Sequence, residues 1–161
     1  MILAQKLVIE FCGGCFVEAN LKVRGTILED NKAIAEISRN DLGYLCEDHL
    51  VKAKLSSIDS RRKCVVVAEY ENEVIGYVHV ERYETLYMET LANILGLAVS
   101  AKKRRMGAGH LLMSEAESWA KLIGAVGVRL NSGASRSGAH EFYRAIGYNL
   151  EKKQIRFLKM L

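Results

Sequence analysis

The sequence predicts one α/β domain, with a central mixed, mostly antiparallel sheet and helices on both faces. Three observations lead there. Apolar residues recur along the 161-residue chain with alternating periods of two and of three to four, in the order β-α-α-β-β-β-α-β-α-β. Three strand-like segments follow closely in the middle, as in an antiparallel meander, and a later strand–helix–strand run is a βαβ crossover. Half of the residues are hydrophobic and 26% are charged, a composition that supports a core of its own at this length.

Residues 1–20 match nothing that follows and read as an N-terminal extension; residues 21–161 form the expected domain. Leu21 to Ile27 alternates Val23, Gly25 and Ile27 against Lys22, Arg24 and Thr26. Asp30 can cap a helix that turns Ile34 and Ile37 inward, and a second helix covers Glu47 to Ile58 with Val51, Leu55 and Ile58 on one face. Cys64–Glu69 is a β-branched run, joined by a polar turn at Glu71–Glu73 to Val74–Val80. Leu91–Ser100 is the most apolar strand and should be central, with Gly96 marking a bulge or a close backbone approach. A helix starting near Met106–Gly109 buries Leu112, Ala116, Trp119 and Ile123 and ends at Gly124. Val126, Val128 and Leu130 alternate along the next strand. A short helix carries Ala139, Phe142, Tyr143 and Ile146 and stops at Gly147, and Ile155–Leu161 reads as a last strand.

The net charge of +4 is modest and the acids are spread throughout, which argues against nucleic acid as a partner. Every apolar run is too short to cross a membrane, and Lys6 and Glu10 break the apolar N-terminus, so neither a span nor a signal peptide is expected. The chain reads as cytoplasmic. Cys12 and Cys15 have the spacing of a redox dithiol or half a zinc site. No strand–helix context or second tight cysteine pair supports either, so they read as plain thiols and no metal is expected. His49, His79, His110 and His140 lack metal-ligand spacing and read as structural or surface residues.

The informative stretch is Leu91–Ser100 followed by Ala101-Lys-Lys-Arg-Arg-Met-Gly-Ala-Gly109. An apolar strand enters a basic, glycine-containing turn that opens a helix. First-turn amides lack partners within a helix, and the helix dipole adds positive charge. Gly107 and Gly109 allow a pyrophosphate close approach, and Lys102, Lys103, Arg104 and Arg105 add charge. A dinucleotide-binding turn would need glycine at Leu112 and an acid further on; a nucleoside-triphosphate loop would need Gly-Lys-Ser/Thr. A basic, solvated helix start is the remaining alternative for the turn alone.

The second constellation is Ser135-Arg-Ser-Gly-Ala-His-Glu-Phe-Tyr-Arg-Ala-Ile-Gly-Tyr148. Together the two segments resemble the GNAT superfamily of N-acetyltransferases. Arg104, Gly107 and Gly109 match its Gln/Arg-x-x-Gly-x-Gly/Ala signature. Ala139, Phe142, Tyr143, Gly147 and Tyr148 match Ala-x-x-Phe-Tyr-x-x-x-Gly-Tyr/Phe. The resemblance runs from about Leu21 to the C-terminus and implies acetyl-coenzyme A as acyl donor. It assigns the pantetheine arm to the backbone of Leu97, Ala98 and Val99, with the Val99 N–H on the thioester carbonyl. The pyrophosphate falls to the amides of Arg105, Met106, Gly107, Ala108, Gly109 and His110. Asn131 is expected at the arm and Arg136 at the phosphates, and Tyr143 is the expected general acid toward the leaving thiolate.

The general base departs from the family pattern, because Asn93 stands where many members carry glutamate. Glu81, Glu84 and Glu89 lie nearby, Glu89 closest in sequence, and water is the alternative. The expected reaction is direct attack of an amine on the thioester, without metal or covalent enzyme intermediate. The acceptor is expected to be a small-molecule primary amine, with a protein N-terminus or lysine second. A non-catalytic acyl-coenzyme A binding module is the alternative from another class. A homodimer is left open.

Overall fold

The computed structural model describes residues 20–161, so Cys12, Cys15 and nearly all of the N-terminal extension lie outside the described residues. The chain forms two compact units, one up to Asn131 and one from Ser132 to Leu161.

In the first unit five strands stand in sequence order in one sheet: β1 (Leu21–Gly25), β2 (Lys63–Tyr70), β3 (Glu73–Thr85), β4 (Met88–Val99) and β5 (Val128–Leu130). The first four are antiparallel neighbours, and β5 runs parallel to β4. The β2–β3 hairpin turns at Glu71 and Asn72, both with positive φ (52° and 65°), the geometry that matches the strand twist.

Three helices flank this sheet: α1 (Asn31–Ile37), α2 (Asp48–Ser56) and α3 (Ala108–Leu122). Val67, Tyr77 and Ala98 share one rung across β2, β3 and β4 and pack with Ile34 and Ile37 of α1. Val51 and Leu55 of α2 border that cluster. Gly76 and Val78 point to the other face, where α3 lies. Helices therefore cover both faces, as the pattern predicted. On α3 the buried residues are Ala108, Leu112, Met113, Ala116 and Ala120, while Trp119 and Ile123 are only half-buried. The buried stripe is thus rotated from the expected one. Gly124 ends the helix at φ 73°, with Gly124 N–H bonded to Lys121 C=O and Ala125 N–H to Ala120 C=O.

Gly76 allows α3 and β4 to close on β3. A Cβ there would sit 2.8 Å from the Ala98 carbonyl oxygen, 3.1 Å from Val99 Cγ2 and 3.3 Å from Leu112 Cδ1. A backbone oxygen in a sheet cannot give way cheaply. Gly76→Ala should therefore destabilise the protein by about 1–3 kcal/mol, the usual cost of overpacking. Urea denaturation measures this, and an unchanged midpoint would refute the close approach.

β1 is tied to β2 and α1 through polar groups. Arg24 Nε donates to Glu69 Oε2 at 2.7 Å, and its two terminal nitrogens donate to the Asp30 carboxylate at 2.7 and 2.9 Å. Lys22 pairs with the other Glu69 oxygen at 2.7 Å. Asp30 also accepts from the Ile27 N–H at 2.9 Å, so the expected capping residue works by closing the turn before α1.

Three expectations are corrected. β3 and β4 run well past the expected strand bounds, to Thr85 and from Met88. Polar residues 81–85 stay extended with support from charges: Arg82 on the same strand and Arg62 just before β2 pair with Glu84, and the Arg129 guanidinium of β5 covers the Tyr83 ring at 4.6 Å. Val126 is exposed, because β5 begins only at Val128. Ile155–Leu161 forms no strand, and Ile155, Phe157, Leu158, Met160 and Leu161 are exposed. Alternation supplies a strand with faces; only a neighbour makes it a strand.

The second unit contains α4 (Ser137–Ala145). Gly147 stops it at φ 93°, with Gly147 N–H bonded to Arg144 C=O and Tyr148 N–H to Tyr143 C=O.

Candidate active site

The site begins where β4 and β5 part. Their parallel pairing covers Ala92–Ile94 against Val128–Leu130 and then stops, leaving the rest of β4 with an open edge. A bulge lies just beyond: Val80 pairs with Ile94 but His79 pairs with Gly96, so Leu95 is the extra residue and is exposed. The expected irregularity at Gly96 is thus a real bulge, and it reverses which residues face the edge. Before it, Ala92 N–H bonds to Gly127 C=O on the β5 side. After it, Ser100 N–H bonds to Ile75 C=O on the β3 side at 2.8 Å. By alternation Ala98 also turns its amide toward β3, while Leu97 and Val99 turn theirs to the open edge. Without the bulge Leu97 and Val99 would be spent on β3.

β4 then enters the basic turn. Ala101–Lys103 form one 3₁₀ turn, Arg105 adopts the left-handed region at φ 64°, and Gly107 follows at φ 89° as the residue before α3. Among the described residues no side chain caps α3. Leu111 N–H reaches Gly107 C=O, while helix geometry gives the amides of Ala108 and Gly109 no acceptor within the helix; Met106 precedes this turn and His110 belongs to it. Gly107, in a conformation other residues resist, aims these donors out of the turn. The arrangement fits an anion such as a pyrophosphate.

Asp41 braces the turn, and sequence reasoning did not reach it. The π turn Ser38–Leu42 that continues α1 carries its carboxylate to the end of β4. There Oδ1 accepts from Ala101 N–H at 2.8 Å and from an Arg104 terminal nitrogen at 3.1 Å, while Arg104 Nε reaches Val99 C=O at 3.4 Å. The motif arginine is therefore held by the protein. Lys103 lies over the Tyr70 ring at 4.9 Å, which leaves the exposed Lys102 and Arg105 as the cations of the turn turned to solvent. A cavity of about 260 Å³ beside the turn is lined by Glu36, Asp41, Glu73 and Ser100 among others. Its acidic lining suits a cation and excludes it as a phosphate seat.

On the α1 face beneath the bulge lies a polar row. The Ser38 and Tyr77 hydroxyls are 2.8 Å apart, and Tyr77 overlies Gly96. Burial pushes the Tyr77 phenol up, partly offset by Ser38. His79 and Glu81 follow Tyr77 on this face, with Asn93 across from Glu81 and its Nδ2 donating to Glu81 Oε1 at 3.2 Å. Burial holds the His79 imidazole below its usual pKa, and so does Lys63, while Glu81 works the other way. Glu84 is taken by Arg82 and Arg62 at the far end of the hairpin. Glu89 is near the start of β4, roughly 30 Å from Val99 at about 3.3 Å per residue, too far to act on a group held there.

Asn131 follows β5, exposed, and its side-chain oxygen accepts from Arg129 at 3.3 Å. Arg136 and Tyr143 belong to the second unit. Arg136 precedes α4, and Tyr143 packs against Phe142 (5.4 Å) and Tyr148 (6.1 Å). Burial raises the Tyr143 phenol, opposed by the Arg136 charge. Cys46 and Cys64 are free thiols, and burial pushes Cys64 up. Among the described residues no helix is long and apolar enough to cross a membrane, and no group of three or more His, Cys, Asp or Glu is placed to hold a metal ion.

The model of the acetyltransferase (GNAT) family matches residues 31–148. An uncharacterized N-acetyltransferase of Chlorobaculum tepidum is 31% identical over 142 residues, covering 84% of this chain and 80% of the relative. Solved structures share the fold at lower identity. An aminoglycoside acetyltransferase from an uncultured soil metagenomic sample, in complex with trehalose, has a TM-score of 0.73 at 22% identity, covering 88% of this chain and 97% of that one. A transcriptional regulator from Bacillus halodurans has a TM-score of 0.75 at 18% identity, covering 86% and 99%. An aminoglycoside 6'-N-acetyltransferase from Acinetobacter haemolyticus has a TM-score of 0.74 at 17% identity, covering 87% and 99%.

Proposed function

The chain belongs to the GNAT family of acetyltransferases, which draw on acetyl-coenzyme A, and from that premise we propose that it acetylates the primary amine of a small molecule by direct attack. The observation that carries this reading is the open edge of β4 beyond Ile94, running straight into an uncapped helix start. Acetyl-coenzyme A supplies the activated acyl group as a thioester. The amides from Arg105 to His110 receive its pyrophosphate, with Lys102 and Arg105 as nearby charge. An arm leaving that turn and running back along β4 meets Val99 first and Leu97 next. Val99 therefore bonds the arm, and the Leu97 N–H polarises the thioester carbonyl where negative charge develops. This moves the assignment from Val99 to Leu97. Ala98 contributes packing, since its amide turns to β3. Asn131 at the end of β5 contacts the arm, and Arg136 serves the phosphates. Tyr143 protonates the leaving thiolate.

An amine of small size is supported by the fold shared with two aminoglycoside acetyltransferases. A cytoplasmic setting agrees with the free thiols Cys46 and Cys64.

Coenzyme binding is tested first. A ligand bound only by the folded state stabilises it by about 2.7 kcal/mol at a hundredfold excess over Kd. Acetyl-coenzyme A should raise Tm accordingly, and Gly109→Val should cancel the rise while leaving the unliganded Tm near that of the parent. No shift for the parent at millimolar acetyl-coenzyme A refutes the reading. Thiol release with sisomicin, spermidine and free amino acids then tests the acceptor class.

A further inference from the structure

Among the described residues three buried side-chain atoms have no hydrogen-bonding partner: Thr85 Oγ1 at the hairpin end, and His79 Nε2 and Asn93 Oδ1 on the α1 face of the sheet. The last two lie at the bulge. His79 is opposite Gly96, Asn93 is opposite Glu81, and Glu81 follows His79 on the same face. One atom of each side chain is thus left over, from adjacent strands, on neighbouring rungs. An unsatisfied buried polar group costs about 1–3 kcal/mol, and a pair of them side by side calls for a reason. Packing supplies none here, since an apolar residue at either position would remove the cost.

We propose that His79 is the proton acceptor for the amine in acetyl transfer, working through a water held between its Nε2 and Asn93 Oδ1. This rests on the acetyl-transfer reading above. The location follows from the strand. Leu97, whose amide faces the open edge, is the next residue after Gly96, and His79 stands across from Gly96. A thioester carbon is attacked from above or below its plane. The lower face is filled by α3, with Leu112 close to Gly76 and Val99. The amine therefore arrives on the α1 face, past the exposed Tyr44 and Leu45, on the side where His79 and Asn93 lie.

The proton balance is simple. The arriving ammonium gives one proton to the water, which passes one to His79 Nε2 and leaves a neutral amine and an imidazolium. The amine nitrogen then bonds the acetyl carbon, the C–S bond breaks, and the sulfur takes a proton from the general acid. The amide nitrogen's second proton restores the general acid through solvent and the imidazolium releases its own, so one proton is lost per turnover. Asn93 contributes position: Glu81 holds its Nδ2, which leaves Oδ1 as the acceptor for the water.

The charges around His79 suit a base. Lys63, on β2 opposite Glu81, and burial both disfavour the imidazolium, while Glu81 favours it. From β3 and the α1 side comes Tyr77, bonded to Ser38, whose phenol burial pushes up so that it carries no charge at pH 7. The ring is therefore neutral at pH 7 and able to accept. The working form is lost as pH falls through the lowered His79 pKa, so turnover needs a pH above it.

The test uses the full chain. With a panel amine that the parent accepts, His79→Gln should lower kcat by about a hundredfold, the lower end for loss of a general base, and leave KM for acetyl-coenzyme A within about twofold. The acid limb of the parent's kcat/KM profile, below about pH 6.5, should vanish in the variant. His79→Ala should regain activity with added imidazole and not with pyrazole, an isostere too weakly basic to take the proton. A role in packing alone predicts rescue by both or by neither. If His79→Gln keeps the turnover and the acid limb of an active parent, the inference fails while acetyl transfer stands. If the parent binds acetyl-coenzyme A yet acetylates no panel amine, the acceptor reading fails, and NMR titration of His79 judges the inference. A ring that titrates below about pH 6.5 and shifts on adding acetyl-coenzyme A upholds it; one that does not titrate between about pH 4.5 and 8 overturns it.

Discussion

Tyr143→Phe should lower turnover by roughly 10² to 10⁴ while leaving the fold in place, because the substitution removes one proton and little else. The ring stays between Phe142 and Tyr148, so its aromatic contacts survive. Stability should fall by no more than about 1 kcal/mol, the scale of one net hydrogen bond. Affinity for acetyl-coenzyme A should hardly change, since its proposed seat is the β4 edge and the helix start. The phenol is suited to the role at working pH. Burial raises its pKa above the ordinary value of about 10, so the protonated, donating form persists throughout the neutral range. The donor is lost only as pH rises through that raised value. The parent should therefore show an alkaline fall in kcat above about pH 10, and the variant should not. Near-normal turnover in Tyr143→Phe would make Tyr143 a packing residue and leave the thiolate to water.

Arg24→Met should destabilise the protein by about 3 kcal/mol at pH 7, the loss expected when one partner of a buried ion pair is removed. Arg24 is the common partner of two carboxylates whose side chains are only 5% and 10% exposed, Asp30 and Glu69. Glu69 retains Lys22, but Asp30 keeps only the Ile27 amide. The pH dependence follows from the direction of each shift. At Asp30 burial pushes the pKa up, but the Arg24 and Ile27 hydrogen bonds outweigh it and leave the carboxyl below its usual range. Lys22 and then Arg24 hold Glu69 low as well. Groups with depressed folded values stabilise fully above their unfolded values near about 4 and lose that stabilisation as pH falls through the folded ones. Without Arg24, burial dominates at Asp30 and its sign reverses. The deficit of the variant should be largest at pH 7 and shrink as pH falls below about 4. Urea denaturation at several pH values measures it. A deficit that stays constant with pH would mean that the substitution acts through packing instead of charge.

The sequence by itself determined the order of elements from β1 to α4, the two helix ends at Gly124 and Gly147, an irregularity near Gly96 and the family. Each rests on information local in the chain: a period, a glycine with positive φ, a motif of fixed spacing. The strand, turn and helix start proposed to hold the donor were legible for the same reason, because they are contiguous from Leu91 to Gly109.

What the tertiary structure decided lies between segments distant in sequence. The strand ends at Thr85 and Met88 are supported by Arg62 on Glu84 and by Arg129 over Tyr83, contacts among residues that lack any apolar alternation. A last strand at Ile155–Leu161 had the right pattern, but hydrogen-bond pairing makes a strand, and pattern alone provides none. Asp41 reaches Ala101 and Arg104 only because a π turn swings it there, a local distortion that leaves no mark in composition. Glu89, near in sequence, is distant because an extended strand spends its length quickly. His79 read as a structural histidine for a related reason. A strand residue acquires its meaning from what stands across from it, and only the register of β3 on β4 sets it opposite Gly96 and beside Asn93, where a buried nitrogen is left without a partner.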